Sequence, residues 1–193
     1  MRILLSTFTT ALSIAALCEA QTKHILMTDQ SHMDVYAPIT TSEPTLADLL
    51  TVHTIGSIWY DYAREVEPIS LRLSDTSPSS KSTLFVPVNK AIMALHRKPH
   101  EGPAGDDVEI TDDKAKVNVE RWVSAHIVPT APLDMATERA YPTLLDGHDV
   151  FFKRTTETGE EWQQYTLNAN ICIVSKAPAS NGDIYFIDGV LDV

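Results

Sequence analysis

Two histidines of this sequence stand at a spacing that suits metal chemistry. His96 and His100 are four residues apart, which would bring two imidazoles onto one face of a helix as metal ligands. Pro99 falls between them and would break such a helix. We therefore predict a loop here and no metal site.

A second candidate is the run of carboxylates in residues 105–113. A calcium loop needs acidic groups at alternating positions, then a glycine and a bidentate glutamate, and this order does not supply them. We predict a solvated acidic loop. It leads into a helix, whose N-terminal dipole favours nearby negative charge.

His126 is the third candidate, near the end of a helix that we predict over residues 114–128. A histidine at a helix end beside a core usually satisfies a hydrogen bond, so we predict a structural role, with catalysis as the alternative. The G-x-S-x-G, H-E-x-x-H, P-loop and G-x-G-x-x-G patterns are all absent. We predict no enzyme, no catalytic residue and no cofactor.

Aromatic side chains suggest a different chemistry, the stacking of sugar rings. The candidates are Trp59, Tyr60, Tyr62 and Trp162. At helical spacing the first three also suit a core. They support an alternative function, the binding of a small ligand or a polysaccharide, which requires that the rings be exposed.

The overall charge and the start of the chain limit the partners. A formal net charge of −11 argues against nucleic acid and anionic membrane surfaces. Arg2, the apolar residues 3–17 and the end at Ala20 predict a secretory signal peptide over residues 1–20, with no membrane span after its cleavage. An extended N-terminal arm over residues 21–43 would follow; its scattered histidines and methionines have no fixed metal-ligand spacing.

Cleavage would also change the cysteine content. It would remove Cys18 and leave Cys172 as the one cysteine of the mature chain, in an apolar context that predicts a buried strand position. We therefore predict neither a disulfide scaffold nor a cysteine-rich zinc site.

Residues 83–95 are the segment around which the rest is organised, because an extended apolar run becomes a helix there within one turn. Pro87 keeps the residue before it extended, and the strand is predicted to end at Val88. Asn89 is predicted to cap the new helix, with ligand binding as the alternative.

Helix signals come early in the chain and strand signals late. Thr45 and Asp48 resemble a capping box at the start of the first helix, and residues 69–73 alternate like a short edge strand. After residue 129, further strands are predicted over residues 140–145, 148–155, 162–167, 170–176 and 183–188, with glycine-containing turns at residues 146–147, 157–160 and 181–182. Helices first and antiparallel strands last indicate an α+β fold.

Three ordered segments resemble the fasciclin-type (FAS1) domain family. They are TLFVPVNKAI at residues 83–92, WVSAHIVP at residues 122–129 and NGDIYFIDGVLDV at residues 181–193. The family-motif positions to which we assign a structural role are Thr83, Phe85, Pro87, Asn89, His126, Asn181, Gly182, Asp188 and Gly189.

This resemblance implies one domain over residues 44–193 with a fasciclin-like fold, a small antiparallel β wedge with a layer of helices. It implies a non-enzymatic interaction or adhesion module that meets an unidentified surface, cell-wall or matrix component. The module would be secreted or at the cell surface, with the vacuole as the alternative, and a fungal source fits its single-domain layout. Several animal members of the family carry a Tyr-His pair linked to integrin binding, whereas Ala125 precedes His126 here.

Overall fold

The computed structural model describes residues 43–102, 110–137, 139–168 and 170–193. The predicted signal peptide, all but the last residue of the predicted arm and most of the acidic loop lie outside these ranges. In the described residues the α-helices are α1 Leu46–Val52, α2 Ser57–Glu65, α3 Glu67–Ser74, α4 Asn89–Met93 and α5 Asp112–Ala125. The 3-10 turns are Thr54–Gly56, Pro78–Ser80, Pro99–Glu101 and Glu161–Gln164. The strands are β1 Ser82–Pro87, β2 Ile127–Val128, β3 Tyr141–Pro142, β4 Asp149–Val150, β5 Phe152–Arg154, β6 Tyr165–Leu167, β7 Ile171–Ala179 and β8 Gly182–Ile187.

One mixed sheet joins the two ends of the domain. Its order is β2-β1-β8-β7-β6-β5, and β3 and β4 form a separate hairpin. The α+β class is therefore confirmed. One feature differs from the predicted antiparallel wedge, because β1 and β8 run parallel. The prediction rested on tight-turn signals, which indicate pairing only between strands that are consecutive in the sequence. The strands β1 and β8 lie far apart in the chain, and long connections allow them to pair in parallel.

The sheet has a core on each face, because successive side chains of a strand point to opposite sides. In β1, Leu84 and Val86 belong to one buried cluster and Phe85 to the other. We call the first the helix-side core; its members include Leu46, Leu50, Trp59, Ala63, Leu73, Leu84, Val86, Trp122, Val123, Ile184 and Phe186. The second is the strand-side core; its members include Phe85, Met135, Tyr141, Val150, Phe152, Tyr165, Leu167, Ile173, Tyr185, Ile187 and Leu191.

The capping box and the tight hairpin turn are confirmed. Thr45 Oγ1 accepts a hydrogen bond from Asp48 N at 3.2 Å, and Asp48 Oδ2 accepts one from Thr45 N at 2.9 Å. That backbone bond holds the pKa of the Asp48 carboxyl below its ordinary value. In the hairpin between β3 and β4, Gly147 has a φ of +78°, which glycine adopts readily.

The predicted edge strand over residues 69–73 is wrong, because this segment is the helix α3. Pro68 lies in the first turn of that helix, where its missing N–H costs nothing. Ile69 and Leu73 are buried together, whereas Leu71 between them is 66% exposed. A strand would place all three on one face, so the pattern that we interpreted as alternation is an i, i+4 pair of a helix.

The helix predicted over residues 114–128 ends earlier, at Ala125. The next residues form β2, in which Ile127 pairs with Leu84 and Val128 with Thr83. Pairing with β1 satisfies the backbone of two β-branched residues that suit a strand better than a helix end. The predicted strand over residues 162–167 also begins later, at Tyr165, since Trp162 lies in a 3-10 turn.

Cys172 is buried in β7, as its apolar context predicted.

Candidate functional site

Eight of the nine family-motif positions lie on β1 or β8 or within two residues of these strands, and His126 lies between α5 and β2. Asn181, just before β8, is 1% exposed. Its Oδ1 accepts a hydrogen bond from Leu46 N at 2.8 Å, and its Nδ2 donates to the carbonyl oxygens of Leu73 and Asp75 at 3.0 and 2.9 Å. One amide thus joins the start of α1 and the end of α3 to the turn before β8.

Gly182 lies where β8 meets β1. Its φ is +154°, and a Cβ placed on it would lie 1.8 Å from the carbonyl oxygen of Ser82. Ser82 and Gly182 are partners in the parallel ladder, so the obstacle is backbone of the adjacent strand. A side chain at this position is incompatible with the observed pairing of β1 and β8.

The three motif positions on β1 contact three different parts of the molecule. Thr83 Oγ1 donates a hydrogen bond of 2.7 Å to Thr130 O, which fastens the chain beyond β2. The ring of Phe85 stacks on Tyr185, with 5.8 Å between the centroids. Pro87 ends the strand opposite Ile187.

Asn89 does not cap its own helix, and that prediction is wrong. Val88 is the N-cap residue of α4, and Asn89 is already helical. Its Oδ1 instead accepts a hydrogen bond from Ile58 N at 3.0 Å, and its Nδ2 donates to Thr54 O at 2.9 Å. The first amides of a helix have no partner within the helix. Asn89 therefore caps α2, an element that lies about thirty residues earlier in the chain.

His126 is fully buried, and both of its ring nitrogens are engaged. Nδ1 lies 2.7 Å from Trp122 O, and Nε2 accepts a hydrogen bond from Leu191 N at 3.2 Å. These partners require the neutral tautomer with the proton on Nδ1. Burial lowers the pKa of His126 to about 4, although the Trp122 bond acts in the opposite direction. The imidazole is neutral at pH 7 and has no nitrogen left for proton transfer.

Asp188 and Gly189 join the end of β8 to β7. Asp188 Oδ1 accepts a hydrogen bond from Cys172 N at 2.8 Å, and Asp188 N donates to Cys172 O at 3.1 Å. Burial raises the pKa of Asp188 above its ordinary value, while the bond from Cys172 opposes that change. A Cβ on Gly189 would lie 2.9 Å from Ile171 Cγ1, so little space exists for a side chain.

The predicted metal candidates do not converge. His100 lies in a 3-10 turn, where its Nδ1 is 3.4 Å from Tyr62 Oη. Asp112 and Asp113 lie in the first turn of α5, next to its positive dipole end. Within residues 43–102, 110–137, 139–168 and 170–193, no three His, Cys, Asp or Glu side chains are grouped so that they could hold a metal ion.

The aromatic residues proposed for sugar stacking do not form one platform. Trp59 is completely buried. Tyr60 and Tyr62 are half-buried against the helix-side core, whereas Trp162 packs against the strand-side core. The polysaccharide alternative therefore lacks the exposed ring surface that it requires.

A cleft that the sequence did not reveal lies between α5, residues 95–102 and residues 190–193. Its volume is about 350 Å³. We call it the basic cleft, since four of its lining side chains are His96, Arg97, Lys98 and Arg121. It was missed because three separate segments contribute the wall and none has a periodic pattern.

Helices on one face of a curled mixed sheet, joined by buried polar side chains, define a small α+β domain. A family model described as "Fasciclin domain" matches residues 57–193. The chain belongs to this family.

Relatives in fungi agree with that assignment. A FAS1 domain-containing protein of Emericella nidulans is 31% identical over 163 residues, which cover 78% of this chain and 63% of that protein. Another from Aspergillus fumigatus is 34% identical over 99 residues, covering 47% and 42%. The chain thus spans less than two thirds of the length of these relatives. A solved FAS1 domain pair of the insect cell adhesion molecule Fasciclin I has a TM-score of 0.55, at 18% identity over 78% of this chain and 51% of that one.

The family defines the general class of function. FAS1 domains are adhesion-type modules that are generally non-catalytic and typically extracellular or at the cell surface. In the part of the chain that the structure describes, no helix is long and apolar enough to cross a membrane.

Proposed function

We propose that this protein is a non-enzymatic interaction or adhesion module of the fasciclin type, secreted or at the cell surface, with the vacuole as the alternative destination. Its partner is a surface, cell-wall or matrix component. In this proposal residues 1–20 are the signal peptide, residues 21–43 an arm, and residues 44–193 the recognition domain.

One observation carries the proposal: the polar side-chain atoms of the motif residues already make hydrogen bonds within the domain. His126 has both ring nitrogens in hydrogen bonds, and Asn181 makes three with its one amide. These side-chain atoms already make hydrogen bonds with buried backbone groups. They could bind a substrate only if those hydrogen bonds were broken. We infer that all nine motif positions act structurally and that recognition belongs to the outer surface.

Retention on fungal cell-wall and matrix preparations tests this proposal. The purified full chain is compared with an unrelated secreted protein of similar net charge, since a charge of −11 alone can give nonspecific retention. We expect saturable retention above that control. Retention equal to the control would contradict an adhesive role, and turnover in a hydrolase screen would contradict the non-enzymatic one.

The small-ligand alternative now depends on a different feature from the one that suggested it. The stacking rings are separated, but the basic cleft has a volume within the range of small-molecule sites, about 300–1,000 Å³. This observation favours a compact ligand over a polysaccharide chain.

A further inference from the structure

The basic cleft combines an apolar floor with a charged rim. Leu95, Trp122, Val190 and Leu191 contribute apolar lining, and Trp122 and Leu191 are among the buried core residues. The rim carries the side chains of His96, Arg97, Lys98 and Arg121, with Asp192 as an acidic neighbour. Pockets of this kind hold the apolar part of a ligand and orient it through a few polar groups.

The charge of the cleft is opposite to that of the whole chain. The chain has 26 acidic and 15 basic residues, yet the lining contains two arginines and a lysine against one aspartate. A positively charged concave site in an acidic protein concentrates small anions.

Two of the three strong cations are fixed by backbone contacts. Arg97 donates from Nε to Gly102 O at 3.1 Å and from a terminal nitrogen to Glu101 O at 2.9 Å. Lys98 Nζ donates to three carbonyl oxygens of the preceding turn, including Leu95 O at 3.1 Å. These groups shape the wall of the cleft and supply positive charge without moving.

Arg121 differs from both of them. It lies on the exposed side of α5 and makes no hydrogen bond or ion pair with any other described residue. Its guanidinium is exposed, and the planar fork matches the two oxygens of a carboxylate. Asp192, which lines the same cleft, disfavours a ligand of higher negative charge.

We propose that the basic cleft binds a small amphipathic carboxylate, with its headgroup on Arg121 and its apolar chain on Trp122, Leu95 and Leu191. At roughly 30 Å³ for each water-sized group, a volume of about 350 Å³ has room for about a dozen non-hydrogen atoms. Octanoate has this size. This site goes beyond the adhesion module, because it is a cleft for a small molecule and not an outer surface for a wall component.

Calorimetric titration of the full chain with octanoate tests the proposal, with butyrate and octylammonium as comparison ligands. We expect saturable one-to-one binding of octanoate, at least tenfold weaker binding of butyrate, which lacks the chain, and none of octylammonium, which reverses the charge. Arg121→Gln should weaken octanoate binding about tenfold, as expected for the loss of one charge-assisted hydrogen bond. Lys116→Gln is the control, since it removes the same charge from an exposed position on α5 that does not line the cleft.

Absence of saturable binding would overturn the proposal, and so would equal weakening by both substitutions or equal binding of octylammonium. The indole N–H resonance of Trp122 locates the ligand, because it should shift on titration while that of Trp162 should not. The outcome is separate from the adhesion proposal. Arg121→Gln should leave wall retention unchanged, so either proposal can fail without the other.

Discussion

The two faces of the central sheet are covered in different ways. On the helix side, Leu84 and Phe186 pack beneath helices whose backbones are hydrogen-bonded within each element. On the strand side, Phe85 and Tyr185 pack against rings from strands of two or three residues, such as Tyr141 and Phe152. Short strands are not stable alone, so this side depends on side-chain packing between distant segments.

This difference indicates that the two sides resist opening unequally. Helices carry their own hydrogen bonds, whereas a two-residue strand loses its bonds as soon as its partner moves away. We therefore expect the strand side to open at lower free energy than the helix side. The strands β1 and β8 belong to both cores and connect them.

The largest effect is expected where both sides are broken at once. Gly182→Val places a side chain on the backbone oxygen of Ser82 and should abolish the pairing of β1 and β8, with a loss of more than about 4 kcal/mol in unfolding free energy. The control is Gly147→Ala, where nothing lies within 4 Å of the added Cβ and only the positive φ opposes it. It should cost about 1 kcal/mol. Urea unfolding measures both, and equal losses would refute the role of the close approach.

Breaking the strand side alone should leave the helix side folded locally. Phe85→Ala removes a buried ring between Tyr185 and Phe152 and should cost about 3–5 kcal/mol. Phe151→Ala, at a 43% exposed ring, is the matched control and should change stability by less than about 0.5 kcal/mol. Hydrogen exchange should show faster opening of β5 and β6 than of α2 in the Phe85 variant. Uniform acceleration would show that the two sides open as one unit.

The hydrogen bonds of His126, which connect α5 to the C-terminal segment, should make the free energy of unfolding depend on pH. His126 is neutral when folded, with a pKa near 4 against about 6.5 when unfolded, so the unfolded state binds the extra proton between these values. Its stabilising contribution is complete above pH 6.5 and is lost as the pH falls, by about 2 kcal/mol at pH 5 and about 3 near pH 4.

Urea unfolding at pH 7, 6 and 5 measures this slope. His126→Asn should lose the slope between pH 6.5 and 5, whatever its stability at pH 7. The raised pKa of Asp188 acts in the opposite sense, since the folded state then holds its proton more tightly, and this contribution is present in both proteins. An unchanged slope in the variant would contradict the assignment.

The smallest loss of unfolding free energy is expected from the hydrogen bonds that Asn89 makes with the start of α2. Asn89→Ala leaves Ile58 N and Thr54 O without their amide partner and should cost about 1–2 kcal/mol, because the start of α2 is partly accessible to water. Asn170→Ala, at an exposed position, is the control and should be near neutral. Amide exchange in the first turn of α2 should accelerate in the Asn89 variant only. If α4 were affected instead, Asn89 would cap its own helix after all.

The sequence was informative where local signals decide the structure. The capping box of Thr45 and Asp48 and the turn at Gly147 are recorded within a few residues, and both were predicted correctly. Residues 69–73 show the limit of such signals, because their pattern suits a helix and a strand equally until burial separates Leu71 from its neighbours.

Distant partners account for what could not be predicted. The amide of Asn89 binds a segment about thirty residues away, and the amide of Asn181 binds Leu46 across most of the domain. No periodicity reports such a contact, nor the parallel pairing of β1 with β8. The basic cleft likewise requires three segments to meet, so Arg121 is indistinguishable in the sequence from any other exposed arginine of a helix.

The central claim is that the family-motif residues stabilise the shape and that recognition lies on the surface. Wall retention per folded molecule, measured for Asn89→Ala and His126→Asn at a temperature where both are folded, tests it most directly. We expect retention equal to that of the unsubstituted protein, although both variants melt at lower temperature. Loss of retention by either variant while it remains folded would contradict the claim.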